Sequence, residues 1–433
     1  KTWFDYRTAF GVFQARCAYM MRKGTPSIDL CVYLGENAPV KILTHRLPDI
    51  PGGFDFDALT TDALITRMSS KNNKIHLPIE MTYSMMILPR NGELTLEALR
   101  KIASMVKDGI TIYGPKANLS GTFKDIDNKE EYHKLANQLW GDNIADSGFN
   151  KYGKGRVFWG MPLEEAIKLA EITPDITMDI GNTKDNMIYF SHRKLKDADV
   201  YFLANRKDEI EQTLFTFAAK AKYAQLWNPA TGERFALDVL QNENGTSIEL
   251  EMHPRESFFI VLTNTDEALP KMKINKSERK EDISNQWNVF FDPQLGGPGD
   301  VIFDTLIDWT NHTNTGIKYY SGTAVYKKEI DIASTHNSVS LDLGNPDFVA
   351  RVFVNSMDTG IIWCSPWTLD ISKYLQSGKN NIEIHVANSL INRMVYDESL
   401  PHSKRITYAY PSIASEKDSL IPSGIKKAIL IYN

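Results

Sequence analysis

Residues 3–21 carry apolar side chains at helical spacing on more than one face. Tyr6, Phe10, Phe13, Cys17 and Met20 recur every three or four positions, and Trp3, Phe4, Val12, Tyr19 and Met21 add apolar groups elsewhere around the axis. A surface helix shows one apolar stripe, so this one is predicted to be covered nearly all round. Gly24 and Pro26 end it. From Ser27 to about Asp175 short apolar runs alternate with helical periods. Ile28 to Leu34 and Ser84 to Leu88 read as strands. Thr95 caps a helix with Leu96, Leu99, Ile102 and Val106 on one face, Gly109 closes it, and Ile110 to Tyr113 follows as a strand. Residues 84–113 therefore form a right-handed βαβ unit. A helix over 130–140 and a strand over 156–159 continue the alternation. The pattern predicts a small doubly wound α/β domain over 26–180.

Near Asn186 the period changes from helical to alternating. Residues 187–192, 200–204, 213–217, 234–240, 247–252 and 257–263 read as strands of an antiparallel β-sandwich spanning 185–265. Asn228-Pro229-Ala230-Thr231-Gly232 is a turn. Residues 266–286 are charged and polar and read as a linker. A second sandwich is predicted over 287–433, from runs at 287–291, 322–332, 338–343, 348–354 and 381–386, closed by 428–432. The chain is thus read as multidomain, α/β followed by two all-β units.

Composition narrows the functional classes. A formal net charge of −5 over 433 residues provides no broad basic field for nucleic acid, and no uninterrupted apolar run is long enough to span a bilayer. Cys17, Cys31 and Cys364 are far apart and form no Cys-x-x-Cys, which indicates neither a zinc knuckle nor a disulfide framework. Eight Trp, 18 Tyr and 20 Phe suit sugar stacking and sandwich cores equally.

Candidate chemistry is sparse. Gly148-Phe-Asn-Lys-Tyr-Gly153-Lys154-Gly155 nearly spells a phosphate loop. It has Gly155 where the hydroxyl that holds Mg²⁺ belongs, and it precedes its strand, so it is read as a flexible connection. Asp55 and Asp57, at i and i+2 in a Gly-Gly-Phe-Asp-Phe-Asp loop, point the same way if the loop is extended. Glycoside hydrolysis needs carboxylates on both sides of the scissile bond, roughly 5 to 10 Å apart. Neighbours on one loop flank nothing, so with Glu36 they are candidates for lining a cleft. In the last unit Trp363 and Trp367 are candidate platforms for a pyranose ring, and Asn388, Asn392 and Arg393 are candidate donors to sugar hydroxyls. Each has a structural alternative in core packing or backbone satisfaction. No metal site is read in the chain.

Three resemblances follow from these residues. The doubly wound domain resembles the glutamine amidotransferases in its predicted fold, but neither Cys17 nor Cys31 lies in a Gly-x-Cys-x-Gly elbow, and no Gly-x-Ser-x-Gly or His-Glu-x-x-His occurs. The series Ser321-Gly322-Thr323-Ala324-Val325-Tyr326, Leu341 to Gly344, Val352 to Asn355, Trp363 to Trp367, Gly378 to Ile384 and Val386 to Arg393 resembles the galactose-binding-like sandwich domains attached to many glycoside hydrolases. The whole chain resembles the C-terminal part of glycoside hydrolase family 106, the α-L-rhamnosidases. That match runs through Phe13 to Gly24, Asp29 to Glu36, Tyr83 to Pro89, His192-Arg193, Asp199 to Phe202, Leu226 to Gly232 and the series just given. Tyr396 stands where relatives often have Gly.

This last resemblance implies an inverting hydrolase of terminal α-L-rhamnosyl units, bacterial and periplasmic or secreted. Its (α/β)₈ barrel, with two catalytic carboxylates and a calcium ion, would lie upstream. Residues 1–25 would correspond to the end of that barrel region, and no catalytic carboxylate carries over to a position in this chain. No cofactor is expected in the segment. The expected partners are the upstream barrel and a rhamnose-containing glycan, with neither nucleic acid nor a membrane span. Three readings stay open: an accessory region of such an enzyme, a carbohydrate-binding module, and a purely structural pair of sandwiches.

Overall fold

Leu30, Cys31, Val32 and Tyr33 are all buried because their strand, Leu30–Tyr33, runs inside a parallel sheet covered on both faces. A computed structural model describes residues 2–36, 49–119, 123–142, 145–179, 188–243, 245–272, 279–333, 338–345, 349–408 and 413–432. The sheet runs Phe56–Leu59, Leu30–Tyr33, Met85–Ile87, Thr111–Tyr113, Gly155–Trp159, Gly148–Tyr152. Its first five strands are parallel and the last is antiparallel. Alternation divides the side chains between two cores. Cys31, Tyr33, Met86, Ile112 and Val157 meet the helices Leu96–Asp108 and Lys129–Trp140. Leu30, Val32, Met85, Ile87 and Phe158 meet the helix Leu163–Leu169. Thr95 caps its helix by accepting from Ala98 N at 3.3 Å.

The phosphate-loop lookalike is not a flexible connection. Residues 148–159 form a β-hairpin that turns at Gly153-Lys154 and packs its turn on the end of the helix Leu96–Asp108. Lys154 N donates to Lys107 O at 3.0 Å. A Cβ on Gly155 would lie 2.1 Å from Val106 O and 2.4 Å from Ile110 O. The glycines are there because two backbones meet.

In the next unit, six strands (Thr25–Pro26, Ile188–Lys194, Ala198–Asn205, Ser257–Thr263, Tyr223–Trp227, Arg234–Leu237) face four others (Ile176–Met178, Glu211–Phe217, Gly245–Met252, Leu240–Asn242). Tyr201, Leu203, Phe215, Phe217, Ile248, Leu250, Phe258 and Ile260 fill the space between the sheets. Two expectations need correcting. Residues 25–26 and 176–178 are strands of this sandwich rather than parts of the preceding regions. The run 234–240 breaks into two strands that belong to opposite sheets. Short pairings of this kind are set by the partner strand and leave no local period to read.

The last unit pairs a six-stranded sheet (Gly299–Thr305, Asn285–Phe291, Thr323–Ile332, Gly378–Ala387, Val349–Val354, Met357–Ile362) with a four-stranded one (Arg279–Asp282, Ile429–Tyr432, Val339–Asp342, Thr368–Asp370). Trp287, Phe291, Trp309, Tyr320, Tyr326, Leu341, Val352, Ile384 and Leu430 form its core. The predicted linker 266–286 is in part wrong. Arg279–Asp282 is an edge strand on Ile429–Tyr432, with Ile283 buried beside it. Its charges face water as edge-strand charges do, and that is why the segment reads as a linker. Residues 273–278 lie outside the described ones.

The N-terminal helix, Arg7–Met21, bridges the two sandwiches. Met20, Cys17 and Met21 pack on Val200, Phe259 and Val261 of the first. Phe10 and Phe13 set their ring edges on Trp363 of the last, at 5.5 and 5.2 Å between centroids. Arg16 donates to Pro229 O and Ala230 O at 2.9 and 3.0 Å, which ties the helix to the 228–232 turn. The cover is one-sided. Phe4, Phe10, Val12 and Tyr19 remain 49, 43, 39 and 56% exposed.

Candidate functional site

The structure separates Glu36 from the other two cleft-lining candidates, Asp55 and Asp57. Strands Leu30–Tyr33 and Phe56–Leu59 are parallel with Leu30 beside Phe56, so Asp55 lies where the strands begin and Glu36 beyond where they end. Glu36 accepts from Thr95 N and Thr95 Oγ1 at 3.1 and 3.0 Å, reinforcing a helix N-terminus. Asp55 accepts from Phe56 N at 2.8 Å, and Asp57 accepts from the Tyr83 hydroxyl at 2.8 Å. Burial pushes the Asp55 carboxyl up to about 6, opposed by its hydrogen bond to Phe56 and assisted by Asp57 and Asp175.

Asp55 belongs to a cluster that sequence reading missed. Gly53 O accepts from Asp175 N at 2.9 Å, joining this loop to the first strand of the sandwich. His192 is 1% exposed; its Nδ1 meets Asp175 Oδ2 at 2.7 Å and its Nε2 meets Asp199 Oδ1 at 2.8 Å. The Tyr201 hydroxyl donates to the other oxygen of Asp175 at 3.0 Å, and its ring stacks on the imidazole at 3.9 Å. Burial pulls His192 down, but the two carboxylates outweigh it and raise it above its ordinary value. Asp29, just before the strand Leu30–Tyr33, is pushed up to about 6 by burial, with Asp175 assisting and Lys74, Lys194 and His192 opposing. A carboxylate on each ring nitrogen favours the doubly protonated imidazole and leaves neither nitrogen open to a substrate. The only sequence trace of this cluster is the His192-Arg193 and Asp199 to Phe202 text; its members meet through folding rather than spacing.

The sugar-binding candidates are each engaged with other parts of the chain. Trp363 is covered by Phe10 and Phe13. Trp367 packs half-buried on the last core, and its backbone N–H donates to Cys364 O at 3.2 Å. Asn388 accepts from Gly322 N at 3.0 Å and donates to Tyr320 O and Ser423 Oγ at 2.8 and 3.1 Å. Asn392 donates to Ile421 O at 2.7 Å and accepts from Ile421 N at 2.8 Å. Arg393 grips Asp397 through Nε and Nη2 at 3.0 and 2.8 Å. Donors thought available to hydroxyls are engaged with the chain itself, because the polar ends of these strands must satisfy buried backbone. Tyr396, on the helix Ile391–Glu398, stacks on Tyr319 at 4.5 Å.

Trp363 is therefore expected to act as an anchor. Replacing it with Ala should weaken the seat of the N-terminal helix by about 2 kcal/mol. The check is faster limited proteolysis within residues 2–21 while cleavage elsewhere stays unchanged.

Among the described residues no group of three or more His, Cys, Asp or Glu is arranged to hold a metal ion. No helix among them is long and apolar enough to cross a membrane. Burial pushes the Cys31 thiol well up and Cys364 up to about 12, so neither is a ready nucleophile.

The sequence model of the alpha-L-rhamnosidase family, glycoside hydrolase family 106, matches residues 1–239, just over half of the chain. The chain belongs to that family. A rhamnosidase from Novosphingobium sp. PP1Y aligns over 100% of this family member and 41% of its own chain, with a TM-score of 0.81 and 25% sequence identity. A protein of Formosa agariphila named as a beta-glucuronidase is 27% identical over 292 residues, which is 66% of this chain and 24% of the relative. This family member thus spans less than half the length of either relative. Multidomain, β-rich architecture is shared with the rhamnosidase, and the family is one of glycan-acting enzymes.

Proposed function

We propose that these 433 residues are an accessory C-terminal region of an inverting α-L-rhamnosidase-type hydrolase acting on rhamnose-containing glycans. Catalysis, and the calcium ion the family implies, belong in this reading to an (α/β)₈ barrel upstream. The observation that carries it is the one-sided cover of the N-terminal helix. Val12 and Tyr19 face water on the side of the helix away from Phe10, Phe13, Cys17 and Met20, which grip both sandwiches, and apolar groups left outside in this way mark a docking surface. The helix then joins the barrel to the three units behind it. We also read the α/β unit (about 27–175) as amidotransferase-like without that chemistry, the first sandwich as 176–265 with the strand 25–26, and the last unit (279–433) as galactose-binding-like. Secretion or periplasmic residence in a bacterium is part of the same reading.

The internal pairing of Asn388, Asn392, Arg393 and Trp363 favours a structural role for the last sandwich over independent sugar binding. Hydrolysis of an aryl α-L-rhamnoside tests the proposal, comparing this chain with a longer protein that includes the upstream sequence. Turnover by the longer protein alone is expected. Turnover by the 433-residue chain would overturn the accessory role and return attention to Glu36, Asp55 and Asp57.

A further inference from the structure

The acid–imidazole cluster has no part in that function, yet it sits where the α/β unit meets the first sandwich. Backbone bonds define the junction. Ser27 N donates to His192 O at 3.0 Å and Asp175 N to Gly53 O at 2.9 Å. A Cβ at Gly53, where φ is +84°, would lie 2.1 Å from Ile176 O, so the two units touch backbone to backbone. Into this contact the fold places Asp29 and Asp55 from the α/β side and Asp175 and His192 from the sandwich side, with Asp199 and Tyr201 bonded to those two. The cations facing Asp29 are Lys74, Lys194 and His192; those facing Asp175 and Asp199 include His192. Asp199 also lines a polar cavity of about 320 Å³ with Lys196, Asp197, Lys220 and Asn264. Water therefore reaches the Asp199 end of the Asp199–His192–Asp175 chain, whereas the Asp175 end is buried.

We propose that this junction is a proton-dependent clamp, which holds the α/β unit against the first sandwich in mildly acidic solution and loosens as the solution is brought to neutral and above. Like charges packed around Asp175 repel when all are ionised, and a proton on Asp29 or Asp55 relieves them. Both carboxyls are raised to about 6, and His192 is raised as well. Each of the three binds its proton more tightly folded than unfolded. The stability that Asp29 and Asp55 contribute is present below the ordinary carboxyl range and is lost as pH rises through about 6. His192 loses its share as pH rises through its own raised value. All three slopes have the same sign.

Calorimetry of the 433-residue chain at pH 5 and pH 8 tests this. The transition of the wild type is expected to fall by about 5 °C at pH 8. In the Asp29→Asn, Asp55→Asn double variant, which keeps the acceptor for Phe56 N but cannot ionise, the pH 8 transition should rise and the difference should shrink by half or more. A flat wild-type profile, or a double variant with the full wild-type difference, overturns the clamp. Should the double variant not fold, hydrogen exchange of the wild type decides. After correction for intrinsic rates, residues 27–30, 53–57 and 175–178 must lose protection at pH 8 relative to the sheet cores. Equal protection at both pH values overturns the proposal.

Discussion

Changing Gly155 to Ser, the substitution that completes the phosphate-loop spelling, is expected to destabilise the α/β unit and to confer no nucleotide binding. The position is read as part of Gly-x₄-Gly-Lys-Ser only in one dimension. In the folded chain it is the first residue of the strand Gly155–Trp159, where that strand crosses the last turn of the helix Leu96–Asp108. A Cβ there would lie 2.1 and 2.4 Å from two backbone carbonyl oxygens, Val106 and Ile110, neither of which can rotate away as a side chain would. Relief requires the strand to leave the helix, breaking the bonds from Lys154 N to Lys107 O and from Arg156 N to Ile110 O. Overpacking of this kind costs about 2–3 kcal/mol. Urea unfolding reads the loss as a lower midpoint with an unchanged slope. Titration with ATP and Mg²⁺ should give no signal for wild type or variant, because no helix N-terminus follows the loop to receive a phosphate.

Asp397→Ala is expected to be the most destabilising single change in the last unit, by about 3–5 kcal/mol, because it leaves a buried guanidinium without its partner. One oxygen of Asp397 pairs with Arg393. The other accepts from Ile406 N, Thr407 N and Thr407 Oγ1, at 3.0, 2.6 and 2.7 Å. The Asp397 and Arg393 side chains are 2 and 8% exposed, so water cannot replace either. Burial works against the charge on Asp397, but the bonds from Thr407 and Arg393 outweigh it and hold the carboxyl below its usual range. A depressed carboxyl contributes stability above its unfolded value, about 4, and that contribution is lost as pH falls through the folded value. The acid limb of the wild-type stability curve should accordingly be steeper than that of the variant. Thermal unfolding between pH 2 and 7 checks both the size and the slope. An Asp397→Ala protein as stable as wild type at pH 7 would mean that the pair is solvated in solution.

The two predictions rest on sites that were legible to different degrees. Gly155 stood out in sequence for a motif it does not serve, and its constraint comes from a helix some fifty residues earlier in the chain. Arg393 stood out as a sugar donor; Asp397, four residues on along the same short helix, was the partner that engaged it. At the junction, Asp55 and Asp57 were visible as a pair on one loop. Asp175, His192 and Tyr201 were not, since no spacing joins a residue before one sandwich strand to the interior of two others.

The order of elements was determined by the sequence alone. Apolar runs of four or five residues, capped helices such as Thr95 to Gly109, and alternation from 188 onward depend on which atoms lie within a turn or a pleat of each other. The family text in the last sandwich and the excess apolar surface of the N-terminal helix could be read there too. Tertiary structure alone decided which short segments became strands, as with residues 25–26, 176–178 and 279–282. It also decided which polar groups were left free. Strand pairing and the satisfaction of buried donors depend on partners distant in sequence, so the same Asn, Arg or Asp reads as a ligand in the chain and as part of a closed network in the fold.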